Sequence, residues 1–510
     1  MKNKIGRDIP EWAGGQRLVP YAGITGCPEV HRRAAPSLRT FPRGTPKVLP
    51  SLREAIDASG LRDGSTISFH HHLRNGDAVA NAVLREAANQ GLRGLTVAAS
   101  SIFPVHGPWV ELMEAGVIGQ IYTGYASGPV ADAVARGVLA APMFMHTHGG
   151  RARLIESGAL AIDAAFVAAP TADNYGNLNG VSGPSACGTL GYAEADVRYA
   201  ATVIAVTDNL VPYPACPIAI SQDYIDYVVP VHSIGDSTRI VSGTTRPTDE
   251  PVGLAIASLA ARVIEAAGRL GEDFGFQTGA GGISLAVAAA LGEIMARRGV
   301  KGSFAAGGIT GYLVEMLEQG LFRSLLDVQC FDLRAVESFR TNPLHQAMSA
   351  SMYANPWNKG AVVNRLSAMV LGAAEVDLDF NVNVTTASDG RIIGGSGGHS
   401  DTAAGAELAI VTTRLRAGNV PKIVEQVRTV TTPGATIDVV VTEAGIAVNP
   451  LRLEVKERLI ASGLPVVSIH ELQEKACRGL EHYHQPGTAE GKVVGIVEYR
   501  DGTTLDVIRS

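Results

Sequence analysis

Asp377-Leu-Asp-Phe-Asn381-Val-Asn383 has a counterpart in the first half of the chain, Asp173-Asn-Tyr-Gly-Asn177-Leu-Asn179. Each of these D-x-x-x-N-x-N segments follows a run that reads as a strand. Each also leads into a Gly/Ser-rich stretch, Ser182–Gly188 in one case and Gly394–Gly398 in the other. A motif shared together with its surroundings points to a duplicated unit. Outward from the first copy, short apolar runs at Thr66–Phe69, Leu95–Ala99, Gln120–Thr123, Ile162–Ala168 and Thr202–Val206 read as buried strands. Helical patterns lie between them at Ala78–Gln90, Val110–Ala115, Pro129–Val138 and Ala152–Glu156. Around the second copy the alternation resumes after a long helix at Val252–Gly268. It runs through Ile283–Arg297, Ser303–Ala306, Gly311–Gln319 and Leu325–Phe331, with further strands near Glu375–Leu378, Leu408–Thr412, Ile437–Val441 and Pro465–Ser468. Such alternation predicts parallel-rich α/β sheets flanked by helices. Two related halves facing each other place a cleft where their loops meet.

A chain of 510 residues suits two cores of ordinary size. The Pro/Gly/Arg-rich residues 1–48 read as an irregular arm, 49–245 as one α/β unit and 252–510 as the second, with a linker at Ser242–Pro251. Near the end, Asp501-Gly502 within Val493–Ile508 suits a tight hairpin. A hydrophobic content of 46% with 18% charged residues is globular, and a net charge of −6 exerts no generic pull on nucleic acid or an anionic membrane. The amino terminus lacks a secretory apolar core, and Leu254–Ala266 and Ile283–Leu291 are amphipathic or too short to span a bilayer. The five scattered cysteines, Cys27, Cys187, Cys216, Cys330 and Cys477, read as reduced thiols, so a cytoplasmic protein is expected.

Gly394-Gly-Ser396-Gly397-Gly398-His399-Ser-Asp401 lets backbone N–H groups approach an anion without Cβ interference. Gln277-Thr-Gly279-Ala-Gly281-Gly282 opens a helix, whose N-terminus favours a carboxylate or phosphate. Glu315 and Glu318 share one helical face, where a carboxylate could serve as nucleophile or base. His70-His71-His72 and His146-Thr-His148 invite a metal. Adjacent strand residues point to opposite faces, and no Cys/His ligand spacing accompanies them, so polar groups lining a cleft are the preferred reading and no metal is assigned. Arg74 and Arg151 would then pair with a polycarboxylate. Asn381 and Asn383 either contact substrate oxygen or stabilise a turn.

Together and in order, Gln277–Gly282, Val314-Glu315-Met-Leu-Glu-Gln-Gly320, Asp377–Asn383 with Ser396–Asp401, and Val441-Thr-Glu-Ala-Gly-Ile-Ala447 resemble the acetyl-CoA hydrolase and CoA-transferase superfamily. Ser68–Asp77, Ile121–Gly124, His146–Arg151, Gln329–Asp332, Tyr353–Asn355 and Gly445–Pro450 resemble its citrate lyase alpha-subunit branch. The resemblance implies two tandem CoA-transferase-type (NagB/RpiA-like) domains that exchange acetyl for citryl on a carrier thiol. It implies no tightly bound cofactor. The thiol is that of phosphoribosyl-dephospho-CoA on a gamma (acyl carrier) subunit, with CoA as surrogate, and a beta subunit then cleaves the citryl group. A homo-oligomer within the complex is expected. The matched positions make Glu315, Gly281, Gly397 and Gly398 the catalytic candidates, although Val314 and Gln319 depart from the superfamily's Thr and Asp beside its nucleophilic Glu. Substrate and carrier candidates are His70, His72, Arg74, His148, Arg151, Gln277, Gly279, Asn381, Asn383, Ser396, His399 and Asp401.

Overall fold

Runs such as Ala164–Ala168 and Thr202–Thr207 are buried at every position, the pattern of strands covered on both faces. The computed structural model describes residues 1–24, 34–36, 41–42, 44–241, 245–480 and 491–510. In the first half it forms strands β1 (Thr66–Phe69), β2 (Leu95–Ala99), β3 (Ile118–Thr123), β4 (Met143–Met145), β5 (Ala164–Ala168), β6 (Thr202–Thr207) and β7 (Tyr227–Pro230). The second half contains β8 (Gly275–Thr278), β9 (Gly302–Ile309), β10 (Phe322–Cys330), β11 (His345–Ala347), β12 (Ala368–Gly372), β13 (Ala409–Thr412) and β14 (Val439–Thr442). Then follow β15 (Gly445–Val448), β16 (Val466–Val467) and a closing hairpin of β17 (Val493–Glu498) and β18 (Thr504–Arg509). The helices that concern the site are α1 (Val79–Asn89), α2 (His148–Glu156), α3 (Glu194–Tyr199), α4 (Gly282–Arg298), α5 (Gly311–Glu318), α6 (Ala350–Ala354) and α7 (His399–Gly405).

The two halves wind identically. In the first, β1 lies centrally, β2, β3 and β4 add on one side, and the chain crosses back to add β5, β6 and β7 on the other. In the second, β8 takes the place of β1, β9 to β11 add on one side, and β12 to β14 on the other. All these neighbours pair in parallel. The D-x-x-x-N-x-N repeat supplies the same turn in both halves. Asp173 Oδ1 accepts the backbone N–H groups of Tyr175, Gly176 and Asn177, and Asp377 Oδ1 accepts those of Asp379 and Asn381. Asn179 Oδ1 accepts from Val181 and Ser182, just as Asn383 Oδ1 accepts from Thr385 and Thr386.

One expected boundary is corrected. Residues 252–510 do not stay together, because β17 pairs in parallel with β4 and extends the first sheet. The reason is physical: β4 is the last strand on its side, its outer edge would leave backbone groups unpaired, and the hairpin pairs with it. The amino-terminal arm in turn covers the hairpin, with Asn3 Nδ2 donating to the Thr504 and Leu505 carbonyls (3.2 and 2.7 Å). Of the expected linker, 242–244 lie outside the described residues, as does Cys27; Pro251 opens the helix Pro251–Ala266.

Candidate active site

The carboxyl ends of both sheets face a cavity of about 530 Å³, a volume suited to a small-molecule ligand. The second half contributes Gln277–Ser284, Gly308, the ends of β10 and β12, Thr412–Arg414, Lys422 and the loop Gly394–His399. The first half contributes His71, Arg74, Ser101, Phe103, Tyr125, His148 and Tyr192. The halves grip each other reciprocally. His148 N–H donates to the Gly397 carbonyl (2.7 Å), and Ala350 N–H, at the matching helix start, donates to the Gly191 carbonyl (3.0 Å).

Along one wall, α4 begins at the cavity. Its cap is Gly281, at φ 153°, and the first intrahelical bond is Leu285 N–H to the Gly281 carbonyl. The N–H groups of Gly282, Ile283 and Ser284 thus have no partner within the helix, and they stand at the positive end of its dipole. Opposite stands Arg74, its guanidinium between the rings of Phe103 and Phe331 at 4.9 and 5.0 Å. Arg414, paired with Glu250, and Lys422, which donates to the Ala373 carbonyl at 3.1 Å, add two further cations. Among the described residues, no aspartate or glutamate lines the cavity.

The lining imidazoles are neutral. Burial, with Arg74 and Arg151 nearby, pushes His148 down to about 3, and burial holds His71 well below its ordinary value. His71 and His148 stack at 5.8 Å between centroids, and Tyr192 packs tilted against both at 4.5 and 4.7 Å. His399 donates from Nε2 to the Gly372 carbonyl (2.9 Å), so its Nδ1 accepts from the Thr432 hydroxyl (2.7 Å); burial lowers its pKa to about 4.

Of the residues singled out from the sequence, Arg74, His148, Gln277, Gly279, Gly281, Ser396, Gly397, Gly398 and His399 line this cavity. Among the glycines, two N–H groups are already used: Gly279 donates to the Val370 carbonyl (2.7 Å) and Gly397 to the Gly124 carbonyl (3.0 Å). Others lie elsewhere. Glu315 is exposed on α5, bonded only to Gln319 among the described residues (3.1 Å), because the apolar face of α5 turns Leu313, Val314, Met316 and Leu317 inward. Arg151 is held by both oxygens of Asp196 (2.7 Å each). His70 and His72 are buried behind the wall, and the middle histidine, His71, is the one that faces the cavity. Asn381 and Asn383 serve the repeated turn; Asn383 Nδ2 also bonds Glu375 (2.9 Å) and Asn381 Oδ1 accepts from Gly434 N–H (2.9 Å). Asp401 accepts from Thr147 Oγ1 and Gly149 N–H (2.9 Å each), outside the lining.

His71, Tyr192, Tyr353, Arg414 and Lys422 also line the cavity and are not among the sequence candidates. Strand alternation was the available signal for His71, but it leaves open which parity faces the ligand. The others lie on separate segments that only folding brings together.

Comparison with known proteins gives a consistent result. Residues 45–510 match the family model described as citrate lyase, alpha subunit (CitF). The citrate lyase alpha chain of Klebsiella pneumoniae is 46% identical over 510 residues, covering 100% of this chain and 99% of the relative. That of Escherichia coli K12 is 47% identical over 462 residues, covering 91% and 90%. A Streptococcus mutans structure described as an alpha subunit of citrate lyase in complex with citrate superposes with a TM-score of 0.96 at 44% identity, covering 100% and 99%. A 4-hydroxybutyrate CoA-transferase from Porphyromonas gingivalis shares the fold at 18% identity and a TM-score of 0.53, covering 85% and 97%. Among the described residues, no helix is long and apolar enough to cross a membrane.

Proposed function

The chain belongs to the citrate lyase alpha-subunit family, and from that premise we propose that it exchanges acetyl for citryl on the thiol of an acyl carrier protein. Acetyl-carrier and citrate give citryl-carrier and acetate. A beta subunit then cleaves the citryl group, and the gamma subunit supplies the carrier thiol on phosphoribosyl-dephospho-CoA. The setting is the cytoplasm, in a multi-subunit complex that contains more than one copy of the chain.

The observation that carries this reading is the charge of the cavity: Arg74, Arg414, Lys422 and a helix N-terminus, with no carboxylate among the described lining residues. Such a site welcomes a tricarboxylate. Among the described residues the lining holds no carboxylate to take the acyl group, which supports a direct exchange. A citrate carboxylate oxygen attacks the acetyl thioester carbonyl, the C–S bond breaks, and the thiolate leaves an acetyl–citryl anhydride. The thiolate then attacks the citryl carbonyl, and acetate departs with the C–O electron pair. No proton is gained or lost overall. The oxyanions formed at each addition are met by the N–H groups at the start of α4 and by the lining cations. Neutral His71 and His148 donate or accept without adding charge.

The test is chemical trapping. After incubation with acetyl-CoA as surrogate donor, borohydride should leave activity intact, and Glu315→Ala should exchange at the wild-type rate. Inactivation with label on Glu315 would overturn direct exchange. The rival reading is a transferase or hydrolase acting on free CoA thioesters of another short-chain acid. It predicts faster acetyl exchange with succinate or butyrate than with citrate.

A further inference from the structure

We propose that Arg500, in the turn of the C-terminal hairpin, is a positioning residue for the exchange site, acting on His148 through Asp401. The inference rests on the reading of the cavity given above. Arg500 is buried, although it belongs to a hairpin added to the far edge of the first sheet. Its Nη2 donates to the Ala354 carbonyl (3.1 Å), and its Nε lies 3.6 Å from Asp401 Oδ1, within range of charge but beyond a hydrogen bond. Asp401 accepts from Thr147 Oγ1 and from Gly149 N–H, the residues on either side of His148. His148 in turn carries the bond to Gly397 and places its ring in the cavity. Ala354 follows Tyr353, whose hydroxyl accepts from Gln277 Nε2 at 2.7 Å, and both of those side chains line the cavity. One guanidinium therefore ties the hairpin to two polar walls of the site.

The duplication supplies an internal contrast. Asp196 is the third residue of α3, as Asp401 is of α7. Asp196 is chelated by Arg151 through two bonds of 2.7 Å and bonded by Ser68, and its pKa is lowered. Asp401 has no cation within hydrogen-bond distance among the described residues, and burial lifts it to about 6. The groups facing it are Arg500 from the hairpin, Arg153 from α2, Tyr353 from α6, and Tyr192 and Tyr499. As pH falls through that value, Asp401 takes up a proton and loses acceptor capacity toward Thr147 and Gly149. The start of α2 then keeps only the Thr147 cap on Gly150 N–H and the bond from His148 N–H to the Gly397 carbonyl, and the His148 ring is held less firmly.

The experiment follows citrate-dependent acetyl exchange by the full chain, with acetyl-CoA as donor, from about pH 5.5 to about pH 9. Removing the cation in Arg500→Gln should move the acidic limb of kcat upward by about one unit, a tenfold loss on the limb that is recovered at high pH. The KM for citrate should change little. Arg500→Lys should keep the limb near its wild-type position, and Asp401→Asn should abolish the limb. A wild-type limb in Arg500→Gln, with the rate lowered equally at every pH, would reduce Arg500 to a structural role and overturn the proposal. If Arg500→Gln does not fold, a limb that persists in Asp401→Asn overturns it as well. Failure of the underlying reading looks different: the wild-type chain would then show no citrate-dependent exchange at all.

Discussion

Arg74 holds a left-handed backbone, φ 52°, which costs a non-glycine residue roughly 1 kcal/mol. Two aromatic rings compensate, each worth about 0.5–2 kcal/mol as a cation–π contact, and they leave the guanidinium facing the cavity. Arg74→Met should therefore raise the KM for citrate by roughly 10- to 100-fold, the equivalent of about 1.5–3 kcal/mol for a charged hydrogen bond. Because Arg74→Met loses both ring contacts and keeps the left-handed backbone, its Tm should fall modestly, and Arg74→Lys should fall between. Steady-state kinetics at several citrate concentrations decides it: an unchanged KM in Arg74→Met removes Arg74 from citrate binding. Arg74 was legible in the sequence because it is a lone cation beside a strand end. Arg151 looked equivalent and is not, since its partner Asp196 sits far along the chain and only the fold unites them. Glu315 shows the same limit from the other side: a motif match fixed its order in the sequence but not the direction of its side chain.

At the scale of elements, the Gly394–Gly398 loop is a packed wall rather than an open cradle. A Cβ on Gly395 would meet the Gly124 carbonyl oxygen at 2.5 Å, and one on Gly398 would run into the Tyr353 hydroxyl. Backbone cannot yield as a side chain can. Gly395→Ala should therefore lower stability by about 1–3 kcal/mol, visible as a reduced Tm. Gly398→Ala should keep more of its stability but lose activity, because Tyr353 must swing away from Gln277. Equal Tm losses in the two variants would contradict this division. The strands themselves read well from the sequence: β1 and β2 match the apolar runs residue for residue. The three-residue β4 and the edge strand β7, which ends at Pro230, were too short or too polar at their ends to stand out. The hairpin Val493–Arg509 was visible as a hairpin, but no local pattern says which sheet a strand pair will join.

For the molecule as a whole, duplication was legible because the repeated turn consumes its own Asp and Asn side chains, so the motif marks architecture and not chemistry. What the sequence hid was the asymmetry between halves: where the second half opens α4 with glycines, the first half places His70, His71 and His72 ahead of α1. Those rings have a consequence for stability. Burial holds six histidines below their ordinary value of 6.5: His70 and His399 to about 4, His72, His146 and His148 to about 3, and His71 well down. Each is neutral in the fold and protonated once unfolded below about pH 6.5. The stability they contribute is therefore complete above that value and is lost as pH falls toward 3 to 4. At pH 5 the loss is about 2 kcal/mol per histidine. Six carboxyls oppose it: burial raises Asp401 to about 6 and Glu498 to about 7, and lifts Glu194, Asp377, Asp438 and Asp506 above their ordinary value, so all six favour the fold as they protonate on acidification. The imidazole loss, about 2 kcal/mol for each ring, is large beside the roughly 5–15 kcal/mol that holds a domain folded, and the carboxyls offset part of it. Acid unfolding followed by circular dichroism should accordingly begin below about pH 6 and be steep. His72→Leu, which removes a buried ring with both nitrogens unpartnered among the described residues, should shift the midpoint to lower pH. A wild-type chain as stable at about pH 4.5 as at neutrality would show that these imidazoles are not held neutral.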